Sequence, residues 1–526
     1  MSRHLKISPY LRGLALSGSI SPLSLVLPGF FAGQLAAYYC ESFYSALPVV
    51  LLVLLFSLAG QGHLALLRQC ILWGLAGFLS MCFASAVRPG MQLSDSTTYL
   101  AEVDKPPRYK QEGQIELSLS IKAKLENGLP GTIPVPARVL CKAVHLPWKN
   151  IARAEEGHTY LIRGRFHQIE KAINPFEYDA QLYRRGYSHT CRLRYATQML
   201  SSSQGRIARW RDGLFALVKN VLGDNETSGL VLSMSLGARD TLTRETEQAF
   251  KRTGLAHLLV FSGYQVMLMY YFLRFICRMI FRLLYFCSAR ACCELSRRVS
   301  LSLVFSLFAM AGALLLVLLS GVDGSSMRAA LAILLVVLSS TLERGGGLYN
   351  SICVSALVLN VIWPCAFLEP GVQLTYAALL GILSGTTTDG ETSRLMSYLR
   401  ICFFVWLYTS CVLLCWFGTF SLLAVPVNAL FAPIASLVGC NAVYAALVAL
   451  WTGIDPQGEL LQASAYLLCL FRDLIRSIAT LRYASIELEG LARFYSAGAL
   501  AICALYLTRL AHPHLAQRVK YADHRK

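Results

Sequence analysis

Charge is scarce in this chain. Asp, Glu, Lys and Arg make up 15% of its 526 residues, against about 25% in soluble globular proteins. The shortage is concentrated in blocks. Residues 13–40, 42–62, 69–87, 299–322, 345–368, 370–388 and 401–454 contain no charged side chain. A helix needs about 20 apolar residues to cross a bilayer, so the composition excludes an ordinary soluble protein. Roughly nine to twelve spans are expected. Motifs for common chemistries are also missing. The 17 cysteines include no C-x-x-C pair with zinc spacing, and Cys292 and Cys293 are adjacent. No G-x-S-x-G surrounds Ser262, and Glu343-Arg-Gly-Gly-Gly is no phosphate-cradling loop. A zinc domain, a serine hydrolase and a nucleotide-driven motor therefore find no support. No metal, cofactor or catalytic residue is expected, and no internal repeat or low-complexity tract stands out.

The charge that is present is mostly positive. Lys and Arg number 48 and Asp and Glu 30, a formal net charge of +18. Two readings are open: basic loops that set membrane topology, or a polyanionic partner. By the first, Arg3, Lys6 and Arg12 place the N-terminus in the cytoplasm, ahead of a retained first span. Arg274, Arg278, Arg282, Arg290, Arg297 and Arg298 mark a cytoplasmic loop, and Arg518, Lys520, Arg525 and Lys526 a cytoplasmic C-terminus.

Five regions follow. Residues 1–88 hold three spans. Residues 89–205 are polar and read as an extracytoplasmic β domain. There, Gln114-Ile-Glu-Leu-Ser-Leu-Ser-Ile-Lys alternates with period two, and strands are also expected near 136–144 and 159–166. A small barrel, OB-like among the options, fits several short strands. Cys141 and Cys191 lie in this region and would pair there if its compartment is oxidising. Residues 206–253 read as helical: 206–222 as an interfacial or a linker helix, and the next stretch with Thr243 as an N-cap. Residues 254–510 are dense in spans, and 511–526 form a basic tail. The fold class is thus a polytopic α-helical membrane protein with one inserted all-β domain.

The most informative run is Gly254-Leu-Ala-His-Leu-Leu-Val-Phe-Ser-Gly-Tyr-Gln-Val. No charged residue follows it until Arg274. Polar groups in such a stretch are costly in lipid and are expected to face protein or water. Together with Leu236-Gly-Ala-Arg-Asp-Thr-Leu-Thr before it, this run resembles the opening motif of the ComEC-type competence family. Ser320-Gly-Val-Asp-Gly-Ser-Ser-Met-Arg, Glu369-Pro-Gly-Val-Gln-Leu-Thr-Tyr and Val425-Pro-Val-Asn-Ala-Leu-Phe-Ala-Pro resemble later family segments, and Asn174-Pro-Phe-Glu-Tyr-Asp its external OB-like domain. The resemblance implies an inner-membrane channel for single-stranded DNA in natural transformation, working among membrane lipid and other competence proteins: a DNA receptor, a cytoplasmic motor and a separate nuclease. It leaves room for a homo-oligomer.

Two departures are visible. Gln265 stands where the family motif usually has histidine, and an amide does not change charge near neutral pH. The His-x-His-x-Asp-His cluster of the metallo-β-lactamase-like domain found in many members is absent; His512-Pro-His514 lacks its sequel, so a form without that domain is expected. A phosphate chain crossing a bilayer needs a wet path. The candidates for its wall are His257, Ser262, Gly263, Gln265, Arg328, Glu369, Gln373 and Asn428. Interhelical bonding is the competing reading for His257, snorkelling for Arg328 and an interfacial place for Glu369. In the β domain Arg163, Arg165, Phe166, Tyr178, Tyr183, Arg184 and Arg185 combine the cations and stacking surfaces that single strands favour; a barrel core with a solvated basic exterior uses the same residues. A transporter of another substrate and a membrane scaffold remain as alternatives on the same fold.

Overall fold

The computed structural model describes residues 34, 93–95, 97–110, 114–126, 129–143, 157–169, 178–184, 186–200, 206–238, 242–259, 263–287, 301–320, 330–331, 334, 348–362, 366–386, 393–481 and 484–511. The expectations for the first three spans, for Ser262, Arg328 and Arg185, and for the basic tail fall outside these residues. The chain divides into two compact units: one comprises residues 25–213 and 359–369, the other residues 1–24, 214–358 and 370–526.

The first unit contains a closed barrel. Strands β1 (Tyr99–Lys110), β2 (Gln114–Glu126), β3 (Leu129–Ala143), β4 (Thr159–Gln168) and β5 (His189–Leu200) are hydrogen-bonded in the order β1-β2-β3-β5-β4, and β1 closes on β4. All pairs are antiparallel except β3–β5. The period-two pattern has its expected consequence. Tyr160, Ile162, Gly164 and Phe166 of β4 point inward, and Arg163, Arg165 and His167 point outward. The inner positions join Tyr99, Leu117, Leu119, Ile121, Val139, Cys141 and Leu193 in one apolar core. Gly164 is required for closure. It sits at a register shift, and a Cβ there would lie 2.5 Å from the Arg192 carbonyl oxygen and 2.7 Å from Cys191 Sγ. Helix α1 (Tyr178–Arg184) joins β4 to β5, and its Leu182 packs with Leu140 and Ile169.

Helix α2 (Arg206–Leu222) follows, with the bounds expected for the amphipathic segment, and its Val218 is buried in the helical unit. Helix α3 (Glu226–Leu236) is buried from Ser228 to Leu236. Helix α4 (Arg244–Arg252) begins at the expected N-cap: Thr243 accepts from the Thr246 N–H. A 3₁₀ turn (Ala256–Leu259) leads to α5 (Gly263–Cys287), which packs on α6 (Leu301–Leu319). Helix α5 corrects the expected cytoplasmic loop. It runs unbroken through Arg274, Arg278 and Arg282, because no Gly or Pro interrupts the segment and the arginines themselves favour helix.

Helices α7 (Leu348–Ile362), α8 (Pro370–Gly385) and α9 (Arg394–Phe417) come next. Gly381 and Gly385, one turn apart on α8, let α9 approach closely: a Cβ would fall 2.5 Å from Val405 Cα at Gly381 and 2.7 Å from Ile401 Cα at Gly385. Helix α10 (Ala424–Ser436) passes through a π-helical turn (Leu437–Ala442) into α11 (Val443–Trp451). Helix α12 (Glu459–Ala479) and α13 (Ala492–Ala511) complete the set, and a two-stranded ribbon pairs β6 (Thr419–Ser421) with β7 (Ser485–Glu487). Helix α3 is the hub of the largest core, with α4, α10, α11 and α12 around it. Among the described residues three helical stretches are long and apolar enough to cross a membrane: Leu301–Leu319, Arg394–Phe417 and Ala424–Trp451. Large apolar side chains such as Phe308, Leu430, Trp451 and Leu505 are exposed on the helical unit, as expected of surface solvated by lipid.

Candidate functional site

The polar side chains of the helical unit serve chiefly as ties to backbone. Gln265 is fully enclosed, and its Nε2 donates to the Met234 carbonyl at 2.9 Å. Tyr444 donates to the next carbonyl, Ser235, at 3.0 Å. Both satisfy acceptors at the end of α3 that the helix itself leaves open. Gln265 therefore does not face a wet path, which corrects that expectation. Its physical cause is the burial of the α3 C-terminus. Asn428 donates to Ala424 O at 2.7 Å and to Gly254 O at 3.4 Å. Gly254 has φ +79°, and a Cβ there would meet Ala424 Cβ at 2.6 Å. The opening glycine of the motif is thus a close-approach turn against α10. Gln373 on α8 accepts from Trp416 Nε1 on α9 at 2.7 Å. Gln265, Gln373 and Asn428 bond at three separate places. His257 is exposed, Gly263 is half-buried at the start of α5, and Glu369 is half-buried just before α8.

The densest charged cluster was not anticipated from the sequence. Glu226, at the first turn of α3, receives Arg476 of α12 at 2.9 Å and Arg472 at 3.3 Å. Thr243 and Thr246 of α4 donate to its Oε1 at 2.5 and 2.6 Å. The three charged side chains are only 15–24% exposed. Burial alone would raise the Glu226 carboxyl pKa. The threonine hydroxyls and the charges of Arg476 and Arg472 more than offset it and hold the group below the usual carboxylate range. The available signal was the i, i+4 pair of arginines on an otherwise apolar face. The cluster binds three helices together and leaves Glu226 no open position for substrate.

The barrel gathers a different set. Lys142 of β3 is in register with Arg192 of β5, and Arg192 with Arg165 of β4. This makes a row of cations across three neighbouring strands, about 10 Å wide at the usual strand spacing. Arg163 lies opposite Tyr195, and Arg163, Arg165, Arg192, Arg194 and Tyr195 are all exposed. Lys142 Nζ stands 5.0 Å from the centre of the Tyr178 ring. Among the described residues none of these arginines is paired with a carboxylate. Arg163, Arg165 and Tyr178 thus belong to one basic and aromatic face. Tyr183 is half-buried against the small Leu140–Leu182 cluster. Phe166 is only 8% exposed and packs edge-on against Tyr99 at 5.3 Å. It is a core residue and offers no free ring, a correction that follows from its inward position on β4. Arg184 lies in α1, with its side chain outside the description. Sequence reasoning missed Lys142, Arg192, Arg194 and Tyr195, whose alternation in His189–Leu200 was the available clue.

Cys141 and Cys191 are direct cross-strand partners in the barrel core and carry free thiols. Burial, reinforced by the Cys191 thiol, pushes the Cys141 pKa well up. Among the described residues no three His, Cys, Asp or Glu side chains are grouped to hold a metal ion.

A closed β-barrel with a basic face and a helical unit with membrane-length apolar helices define a class: membrane proteins that carry a β-barrel domain. The chain belongs to the competence protein family, whose model matches residues 234–513, just over half of the chain. It is also similar to ComE operon protein 3 of Bacillus subtilis (strain 168), 25% identical over 289 residues. That match covers 53% of this chain and 34% of the relative, so the chain aligns with about a third of the relative's length. No solved structure matches.

Proposed function

We propose that this protein is a multi-pass channel of the bacterial inner membrane that admits single-stranded DNA during natural transformation. Membership of the competence family supports a part in DNA uptake. The observation that carries the molecular reading is the row Lys142–Arg192–Arg165, flanked by Tyr178 and Tyr195; its two arginines pair with no carboxylate among the described residues, while Glu116 of β2 stands opposite Lys142. Exposed arginines beside accessible aromatic rings suit a phosphate backbone with splayed bases. In this reading the barrel is OB-like, which its five-stranded closure in the order β1-β2-β3-β5-β4 supports, and it lies on the extracytoplasmic side. Both termini are cytoplasmic. The chain does no covalent chemistry of its own, and a DNA receptor, a cytoplasmic motor and a separate nuclease act with it.

The test has two arms. In a transformable host, deleting the gene should leave DNA protected outside the inner membrane but absent from the cytoplasm. Purified full-length protein should bind single strands in a salt-dependent way, and Arg165→Gln with Arg192→Gln should lower the log–log salt slope by about 0.7 per lost phosphate contact. A deletion without any DNA phenotype would favour transport of another substrate. Normal DNA passage without binding by the barrel face would leave the barrel a scaffold role.

A further inference from the structure

Helix α5 carries an unusual stripe. Tyr264, Tyr271, Arg274, Arg278, Arg282 and Tyr285 follow one another at steps of three, four or seven residues, which places them along one side of a helix. The stripe extends over 21 residue steps, about 32 Å at 1.5 Å per residue. Tyr271 is 57% and Tyr285 47% exposed, and Arg278 and Arg282 are also exposed. Arg274 is half-buried and donates to Ser302 of α6 at 3.1 Å, while its Nε is enclosed without a partner. Helix α5 contains no Asp or Glu. Among the described residues no carboxylate pairs with any of the three arginines.

The rest of the helix gives this stripe its meaning. One side of α5 is buried on α6 through Val266, Met269 and Tyr270. Another, Phe275, Met279, Leu283 and Phe286, is exposed and apolar. Helix α5 therefore has a protein face, an oily edge and a basic–aromatic edge. Helix α5 is not among the stretches apolar enough to cross a membrane, and three guanidiniums with no carboxylate partner among the described residues would be unfavourable against hydrocarbon, so the basic edge calls for water or a polyanion. Successive arginines four residues apart rise about 6 Å along the axis, comparable to the spacing of successive phosphates on an extended strand. Guanidinium forks bind phosphate oxygens bidentately, and the tyrosines add faces on which bases stack.

We propose that the Tyr–Arg edge of α5 is a rail that holds the phosphates of a single strand as it passes along the helical unit. This inference rests on the DNA-channel reading above and names the surface that touches the substrate. It assigns contact roles to Tyr271, Arg274, Arg278, Arg282 and Tyr285, residues that the sequence pattern had placed in a connecting loop or left aside.

The experiment compares Arg274→Gln/Arg278→Gln/Arg282→Gln with the corresponding triple lysine variant, both full length. In cells, membrane abundance, DNA protected outside the inner membrane and DNA in the cytoplasm are each measured. The glutamine triple should accumulate normally, keep the protected pool and lose passage on the order of a hundredfold, while lysines restore most of it. Passage at wild-type level in the glutamine triple, when the deletion strain has none, overturns the rail and leaves the channel reading standing. Passage in the deletion strain itself removes the channel reading. If the triple fails to accumulate, wild-type protein in neutral phosphatidylcholine nanodiscs decides. Ultraviolet crosslinking of iodouracil-substituted single strands should then map to Tyr271 and Tyr285; crosslinks that fall elsewhere but spare α5 refute the rail. An Arg278→Gln variant that weakens strand binding only in discs containing phosphatidylglycerol identifies an anionic-lipid site instead, and likewise overturns the proposal.

Discussion

Replacing Glu226 by Gln tests whether the α3–α4–α12 cluster is a structural clamp. The substitution keeps the shape and one acceptor oxygen but removes the anion shared by Arg472, Arg476, Thr243 and Thr246. Breaking a fully buried ion pair from one side costs about 3–5 kcal/mol. Here the partners are 15–24% exposed, so solvent relieves part of the stranded positive charge and about 2–3 kcal/mol is expected. Pulse proteolysis of the purified full chain in detergent across a urea series gives the stability of the protected helical core. In a cycle with Arg476→Met, the double variant should be less destabilised than the sum of the singles by at least about 1 kcal/mol, because it leaves only Arg472, which still pairs with Asp473. The pH dependence follows the same logic. A carboxylate held below its ordinary pKa contributes stability that is complete above the unfolded value and lost as pH falls through the folded one. Wild-type stability should therefore decline on acidification below the ordinary carboxylate range, and Glu226→Gln should lack that component. A Glu226→Gln protein within about 0.5 kcal/mol of wild type, with an unchanged acid profile, would refute the clamp.

Three further outcomes are expected. Gly381→Val should separate α8 from α9, since its Cβ would fall 2.5 Å from Val405 Cα; a loss of about 3 kcal/mol by the same proteolysis assay is expected. His189 is buried, and burial lowers its pKa. Barrel stability is then complete above the ordinary imidazole range and falls as pH drops below it, which region-resolved hydrogen exchange at pH values above and below that range will read as lower protection in β3–β5 under acid, once the intrinsic pH dependence of exchange is divided out. Cys141 and Cys191 are enclosed in the core with free thiols; a water-soluble maleimide should label both slowly in folded protein and rapidly once the barrel is unfolded.

Local order was largely legible because local rules govern it. The β2 strand, the N-cap at Thr243 and the bounds Arg206–Leu222 each depend on a few neighbouring residues, and each is found where expected, although Ser118 and Ser120 on the polar side of β2 are buried as well. The α5 arginines were misread because a basic run beside apolar residues looks alike in a loop and in a continuing helix. Phe166 was misassigned for a related reason. Its type suits both a stacking surface and a core, and only the strand's inward phase distinguishes them. Gln265 looked like a group waiting for water until the end of α3 supplied an acceptor 31 residues away in sequence.

By itself, the sequence settled the scarcity of charge, the apolar blocks, the positions of several strands and caps, and the family motifs, since these are properties of composition and short-range periodicity. The three-dimensional arrangement alone decided which polar groups are consumed by neighbours and which stay open. The Lys142–Arg192–Arg165 row comes from strands separated by up to about 50 residues and depends on register, a parallel β3–β5 pairing that no local pattern encodes. The physical reason is that burial and pairing are relations between distant segments, whereas propensity belongs to each segment alone.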